Sequence, residues 1–291
     1  MFVKVLLFAS VTAALLLGQE PAGRGAGGGR GRGGTQPQAR QQIKPGLIVI
    51  TGAGANSEVR VTPEGLIVVD GKLPGEPSYN GLLEQIKAIS PLPIRYLIVT
   101  HHHQDHTGNN DRFLAAGVPI VAHENLNKNL ADYQATPKPA SATVTYTKEY
   151  TIRLGGVAVE AHYFGRAHTS GDTVVYFPDL KVVAVSDIIT TGTTGPLADY
   201  AGGGSFLEWP ATIEGILSLD FDTAIPGNGG PLTRADLQEY KTKIETFVSR
   251  ARQAARQGVP KDQLLDHIET GDLGWKPRVP NVDPFYAELM K

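Results

Sequence analysis

The sequence predicts an α/β fold built as a sandwich, and three features carry that expectation. Short β-rich runs divided by Gly, Pro and Asp fill residues 47–71, and a second group of such runs fills residues 157–187. Stretches with helical spacing accompany both groups. Two successive sets of mixed strands and helices, with no internal repeat, fit packed layers better than a closed barrel.

Composition supports a sizeable core, since 291 residues with 41% apolar content can bury one large domain or two modest ones. A net charge of -2 and a pI near 6.4 supply no basic field to gather nucleic acid, so small-molecule substrates are the expected partners. There is no cysteine, which leaves nitrogen and oxygen donors for any metal ion.

The N-terminal segment MFVKVLLFASVTAALLLG sets Lys4 before an apolar run and reads as a signal peptide over residues 1–18, too short to span a membrane. A periplasmic or secreted protein without stable membrane insertion is expected. Residues 19–42 are rich in Gly and Arg with almost no large apolar side chains, which predicts a disordered linker. They carry no aromatic stacking residue, so no nucleic-acid role is expected of them. Residues 43–291 then form the folded domain.

Along that domain the runs at 47–50, 58–61 and 65–71 read as strands. Leu82, Leu83, Ile86 and Ile89 recur at three- and four-residue steps, predicting a helix over 79–89 that Pro91 and Pro93 stop. IRYLIVT, 94–100, reads as a continuous apolar strand covered on both faces, and it delivers the chain into His101. A helix is expected over 109–116, a strand over 118–123, a polar connection from 126 to 147, and strands over 157–164, 172–179 and 181–187, the last two joined by a turn at Pro178-Asp179. Near the end, Leu237, Tyr240, Ile244, Phe247, Val248 and Ala251 form one apolar stripe on a helix over 235–257, with Thr233 and Asp236 as its capping box.

The stretch THHHQDHTG, 100–108, holds four of the eight histidines. Residues two apart in an extended chain point to one side, so His101 and His103 can grip one ion while His102 points elsewhere. Asp105 keeps that parity, and a turn there would swing His106 round to a neighbouring ion beside the Asp105 carboxylate.

H-x-H-x-D-H after an apolar strand resembles the metallo-β-lactamase superfamily, and four further segments agree: GLIVVDG with Asp70, GRAHTSGD with His168, VVAVSDII with Asp187, and FDTAIPGNGG. The resemblance implies a four-layer αββα sandwich, two mixed sheets flanked by helices, with residues 43–291 as a metallo-β-lactamase-like catalytic domain. It implies one zinc site from His101, His103 and His168, and a second ion held by Asp105 and His106 with Asp187 bridging. Asp70 is expected to orient the histidine-rich loop from outside the ligand set. The last segment departs from the family pattern, because Asn228 stands where a histidine is expected. An amide oxygen is a weaker and harder ligand than an imidazole nitrogen. Three outcomes stay open: two zinc ions with Asn228 as a weak ligand, a working one-metal site, or manganese or iron in the second position.

The implied activity is that of an exported zinc-dependent hydrolase, in which hydroxide held on the metal attacks the carbonyl of an ester, lactone, thioester or β-lactam, with Asp105 positioning the water or moving its proton. The competing class is a weakly active or non-catalytic metal-binding or sensing protein of the same fold, supported by Asn228 alone. Residues 126–147 and 190–210 are expected to shape the substrate pocket, with Tyr200 and Phe206 as an apolar wall and Trp209 better suited to the core. His102, His123, His162 and His267 are expected to be structural or on the surface. His162, six residues before His168, is the candidate to replace the missing imidazole.

Overall fold

Strand β4 (Gly65–Val69) is buried at every position because its two faces meet different cores. Ile67 and Val69 look into the layer between two sheets, whereas Leu66 and Val68 face helices outside, following the period-two alternation of a strand. Strand β11 (Val182–Ser186) repeats the arrangement, with Val182 and Ala184 inside and Val183 and Val185 against a second helical layer. Strands apolar on both faces need both faces covered, and the order helix, sheet, sheet, helix follows.

The computed structural model describes residues 36–134 and 136–291. Its first sheet takes seven strands in chain order: β1 (Ala39–Lys44), β2 (Leu47–Thr51), β3 (Ser57–Thr62), β4, β5 (Ile94–Ile98), β6 (Ile120–His123) and β7 (Val144–Tyr146). The second sheet comprises β8 (Glu149–Leu154), β9 (Val157–His162), β10 (Val174–Phe177), β11, β12 (Thr223–Pro226) and β13 (Leu232–Thr233), ordered from β13 back to β8. Helices α1 (Glu76–Lys87), α3 (Asn110–Ala115) and α4 (Glu124–Asp132) cover the first sheet through Leu82, Ile86, Phe113, Leu126 and Leu130. A single helical turn, α2 (Gln104–Thr107), lies between α1 and α3 in the chain. Helices α5 (Trp209–Leu217), α6 (Arg234–Arg256) and α7 (Val282–Leu289) cover the second sheet.

The long helix matches its sequence pattern closely. The Thr233 side chain accepts from the Asp236 backbone N–H while Asp236 accepts from the Thr233 backbone, and the six stripe residues are all buried. Each large apolar side chain so covered contributes roughly 2 kcal/mol of burial.

Several boundaries differ from expectation. β1 begins at Ala39, so the last four residues assigned to the linker are an edge strand paired with β2. The signal peptide and most of that linker lie outside the described residues. β5 is buried only toward its end, with Arg95 exposed, because it joins the core just as it approaches the histidine loop. The polar connection 126–147 carries regular structure: most of α4 and all of β7 fall within it, carried by Leu126, Leu130 and Tyr146. No helix among the described residues is long and apolar enough to cross a membrane.

Parallel pairing decides where the loops converge. β4 pairs parallel with β5, and β11 with β12. The ends of these four strands therefore open on one edge of the sandwich, where residues 70–71, 100–106, 187 and 227–228 meet.

Candidate metal centre

Two carboxylates reach this edge through backbone kinks. Asp70 itself sits at φ 59, and Ser186, immediately before Asp187, at φ 47. Left-handed conformations cost a non-glycine residue energy and are kept where the fold over-determines them. Here Asp70 is pinned by Thr100, whose N–H donates at 2.8 Å and whose hydroxyl donates at 2.7 Å.

After β5 the chain bends through His101–His103, and His103, itself extended, caps α2: the backbone N–H groups of His106 and Thr107 both donate to its carbonyl. That turn brings His106 round as its spacing suggested. His101, His103 and His168 come together, with His103 Nδ1 lying 3.1 Å from His101 Nε2 and 2.9 Å from His168 Nε2. His168 arrives from the loop between β9 and β10, which Asp172 closes by accepting from the Thr169 N–H at 3.0 Å and hydroxyl at 2.6 Å. Burial lifts the Asp172 carboxyl to about 6. His168 Nδ1 donates to the Leu197 carbonyl at 2.6 Å, which leaves the Nε2 lone pair facing the other two rings.

A second grouping joins His101, His106 and Asp187. His106 is fully buried, its Nδ1 held 2.6 Å from Asp70 Oδ2. Its other nitrogen, Nε2, has no hydrogen-bond partner among the described residues and stands 3.7 Å from Asp105 Oδ2 and 3.8 Å from Asp187 Oδ1. Burial disfavours charge on this ring, but Asp70 and Asp105 outweigh it and hold its proton affinity well above that of an ordinary histidine. Burial and then the neighbouring imidazoles push His101 well below the usual range, and burial with His103 lowers His168. One side of the centre thus rejects protons while the other calls for positive charge. Converging imidazole lone pairs, two carboxylates and an orphaned buried nitrogen fit a divalent cation.

Of the expected residues, Asp105 lies beside His106 but belongs to neither of these two close groupings. Asn228 is exposed, and its carbonyl accepts from the Thr191 hydroxyl at 2.9 Å. The turn carrying it packs on Asp187, since a Cβ on Gly227 would lie 2.0 Å from Asp187 Oδ1. Asn56 ties that turn to the first sheet, donating through Nδ2 to the carbonyls of Pro226 and Gly229. His162 does not approach the centre: its Nε2 is 2.9 Å from Glu160 Oε2 and its ring stacks on Phe164. His123 caps α4 and stacks on Tyr163.

Two further contributors were not anticipated. Asp199 Oδ2 lies 2.9 Å from His103 Nε2 and 3.3 Å from His102 Nε2, so His102 is buried against the site and not merely turned away from it. The only sequence signal was an acidic residue in a Gly-rich loop. The second is the C-terminal segment. Arg278 donates through its backbone to Pro196 O at 2.7 Å and through Nε to Gly195 O at 3.0 Å, and Glu288 accepts from Tyr200 at 2.8 Å and Ser205 at 2.6 Å. The loop bearing Leu197 and Asp199 is therefore clasped from outside. Phe206 and Trp209 are wholly buried, with Trp209 Nε1 donating to Ile188 O at 3.0 Å, and Phe206 is core, contrary to the expected pocket wall. Tyr200 directs its hydroxyl to Glu288.

The family model described as metallo-beta-lactamase superfamily matches residues 52–249. The chain belongs to the metallo-β-lactamase superfamily. Relatives include the 2,4-dinitroanisole O-demethylase subunit alpha of Nocardioides sp. strain JS1661, 28% identical over 60% of this chain and 52% of that protein. Metallo-beta-lactamase IND-1 of Chryseobacterium indologenes is 29% identical over 55% of this chain and 64% of its own length. The chain thus spans about half to two thirds of these relatives. Among solved structures, a metallo-beta-lactamase from Pontibacter korlensis superposes with TM-score 0.65 at 21% identity, covering 72% of this chain and 99% of the other, and DIM-1 metallo-beta-lactamase gives 0.62 at 21% over 72% and 98%. The superfamily's four-layer sandwich, predicted from the sequence, is the fold observed.

Proposed function

We propose that this superfamily member is an exported metal-dependent hydrolase that acts on a carbonyl of a small molecule, with ester, lactone, thioester and β-lactam bonds as its substrate class. The observation carrying the reading is the convergence of His101 Nε2, His103 Nδ1 and His168 Nε2 within hydrogen-bonding distance, with His168 already spending its other nitrogen on Leu197. Those three hold the first ion, taken as zinc from its imidazole donors. His106 Nε2, Asp187 and Asp105 hold a second, weaker ion, with Asn228 as an exposed amide ligand, and manganese or iron suits that oxygen-rich position. When bound, such ions supply Lewis acidity toward a carbonyl and a water nucleophile at neutral pH.

The protein's own groups supply the rest. Asp105, with its side chain 26% exposed, can exchange a proton with substrate or solvent, and it acts as the proton-handling carboxylate. Asp187 remains ionised, because the His106 ring overcomes the effect of burial and holds its carboxyl far below the usual range. Asp70 keeps the His106 ring fixed.

Lactamase relatives point toward β-lactams, while the demethylase subunit shows that the fold's relatives extend to other leaving groups. A non-catalytic metal binder is the competing reading, favoured only by Asn228. Metal content and hydrolysis of a chromogenic cephalosporin, a lactone and an aryl ester, for the parent and His103→Ala, separate the two. Turnover that disappears in His103→Ala is expected. Stoichiometric metal with no hydrolysis of any substrate overturns the enzyme reading.

A further inference from the structure

Phe206 is core, and Tyr200 packs on the same cluster with its hydroxyl on Glu288, so neither supplies the apolar wall expected beside the centre. A different ring stands there. Tyr133 meets His102 edge to face with ring centroids 5.1 Å apart, and it lies tilted beside His103 at 6.2 Å. Among the described residues it is the one ring, other than the imidazoles, that meets a histidine of the metal centre.

Its place follows from α4. Leu126, Leu130 and Tyr133 recur at four- and three-residue steps and so share one face of that helix. Leu126 and Leu130 are buried on the first sheet, and Tyr133 packs at the edge of the same cluster. The helix ends at Asp132, with Tyr133 as its extended cap. The apolar stripe thus runs out of the core and finishes in a half-buried ring against the histidine loop.

That ring borders the point where the centre opens to solvent. The His103 side chain is 18% exposed and the Asp199 side chain 20%, whereas His101, His106 and His168 are buried. The Tyr133 hydroxyl lies toward the Gln104 backbone N–H, and burial, followed by the charges of Asp105 and Asp199, keeps the phenol protonated. Tyr133 is therefore flanked by the first ion's cradle on one side and by the proton-handling carboxylate on the other.

We propose that Tyr133 is a specificity-determining residue of this centre, its ring forming the wall on which an aromatic group beside the scissile carbonyl packs. The proposal rests on the metal-site reading of His101, His103 and His168. An aromatic wall is selective, because a flat ring gains offset or edge-on stacking beyond simple burial and a methyl group does not.

Two zinc-binding probes that share a head group test this without any turnover. Benzohydroxamate carries a phenyl ring where acetohydroxamate carries a methyl group, and calorimetry on zinc-loaded protein reads the affinity of each. The parent is expected to prefer benzohydroxamate by about tenfold or more. Tyr133→Ala should remove most of that preference while zinc content and acetohydroxamate affinity change little. Tyr133→Leu, which fills the space without an aromatic face, should shift it the same way and serves should the alanine variant not fold. Tyr133→Phe, which keeps the ring, should keep the preference. A preference that survives in the alanine and leucine variants overturns the proposal, and so does an equal loss of both probes together with zinc, which would make Tyr133 a support for the histidines. A parent that binds neither zinc nor either probe instead overturns the metal reading itself, and the proposal with it.

Discussion

Asp70 Oδ2 takes the Nδ1 proton of His106 at 2.6 Å, while the opposite nitrogen of that fully buried ring has no hydrogen-bond partner among the described residues. One contact therefore decides which end of the imidazole is free. It also explains why Asp70 tolerates a left-handed backbone: Thr100 and His106 together hold the carboxylate in place.

Replacing that carboxylate should be felt at the second ion first. Asp70→Asn keeps the side-chain shape and suits the left-handed conformation, but it loses the charge that secures the His106 proton. Binding of the second ion is expected to weaken about tenfold, with the first ion little affected. Stepwise metal titration of the metal-free protein distinguishes the two sites.

Residue 228 should control occupancy of the same position. Its turn lies directly on Asp187 through Gly227, so an imidazole there would start beside the second grouping. Asn228→His is expected to raise the zinc retained after dialysis from near one toward two ions per chain. Should the parent already retain both under the same dialysis, the weakness assigned to the amide is wrong.

A buried pair of titratable groups in the first sheet predicts a pH dependence of stability. Glu58, on β3 opposite Val49 and Val69, is lifted from 4.5 to about 8 by burial and then by the charge of Asp70. Between those values the folded chain keeps a proton that the unfolded chain has released, so stability falls as pH rises through the window. Burial lowers Lys72 from 10.5 to about 7, and there the unfolded chain holds the extra proton, so this contribution rises with pH. Urea unfolding of metal-free protein should show Glu58→Gln losing about 2 kcal/mol less than the parent between about pH 5 and about pH 7. Equal losses would remove Glu58 as the source.

Phe206 offers a test of the pocket's outline. It is wholly buried among Trp209, Phe247 and Phe285, so Phe206→Ala should cost roughly 3–5 kcal/mol in stability while leaving KM for a turned-over substrate nearly unchanged. A large rise in KM with intact stability would return this ring to the pocket wall.

Much of this molecule was legible because its strongest signals are local. The period of α6, its capping box, and the H-x-H-x-D-H spacing after β5 depend on neighbours in the chain, and all three appear where expected. The four-layer order was legible through β4 and β11, whose unbroken apolar character demands two covered faces. What escaped notice depends on contacts distant in sequence. Asp199 meets His103 across 96 positions, and nothing near Asp199 marks it as different from a turn former. Phe206, expected on the pocket wall, is core because α5, α6 and α7 close over it. His162 is the exception, since the partners that hold its ring, Glu160 and Phe164, each lie only two positions away.

The clasp formed by Arg278 and Glu288 lies beyond residue 249, where the match to the superfamily model stops. The inner ligands thus lie inside the matched stretch, whereas the segment that clasps the loop of Leu197 and Asp199 lies outside it. A transplant of the four ligand-bearing segments into another host would carry over the imidazoles but leave Leu197 and Asp199 on an untethered loop. Tuning of this centre is correspondingly open to changes in a segment that supplies no ligand, a modularity that separates how tightly the metal is held from which residues hold it.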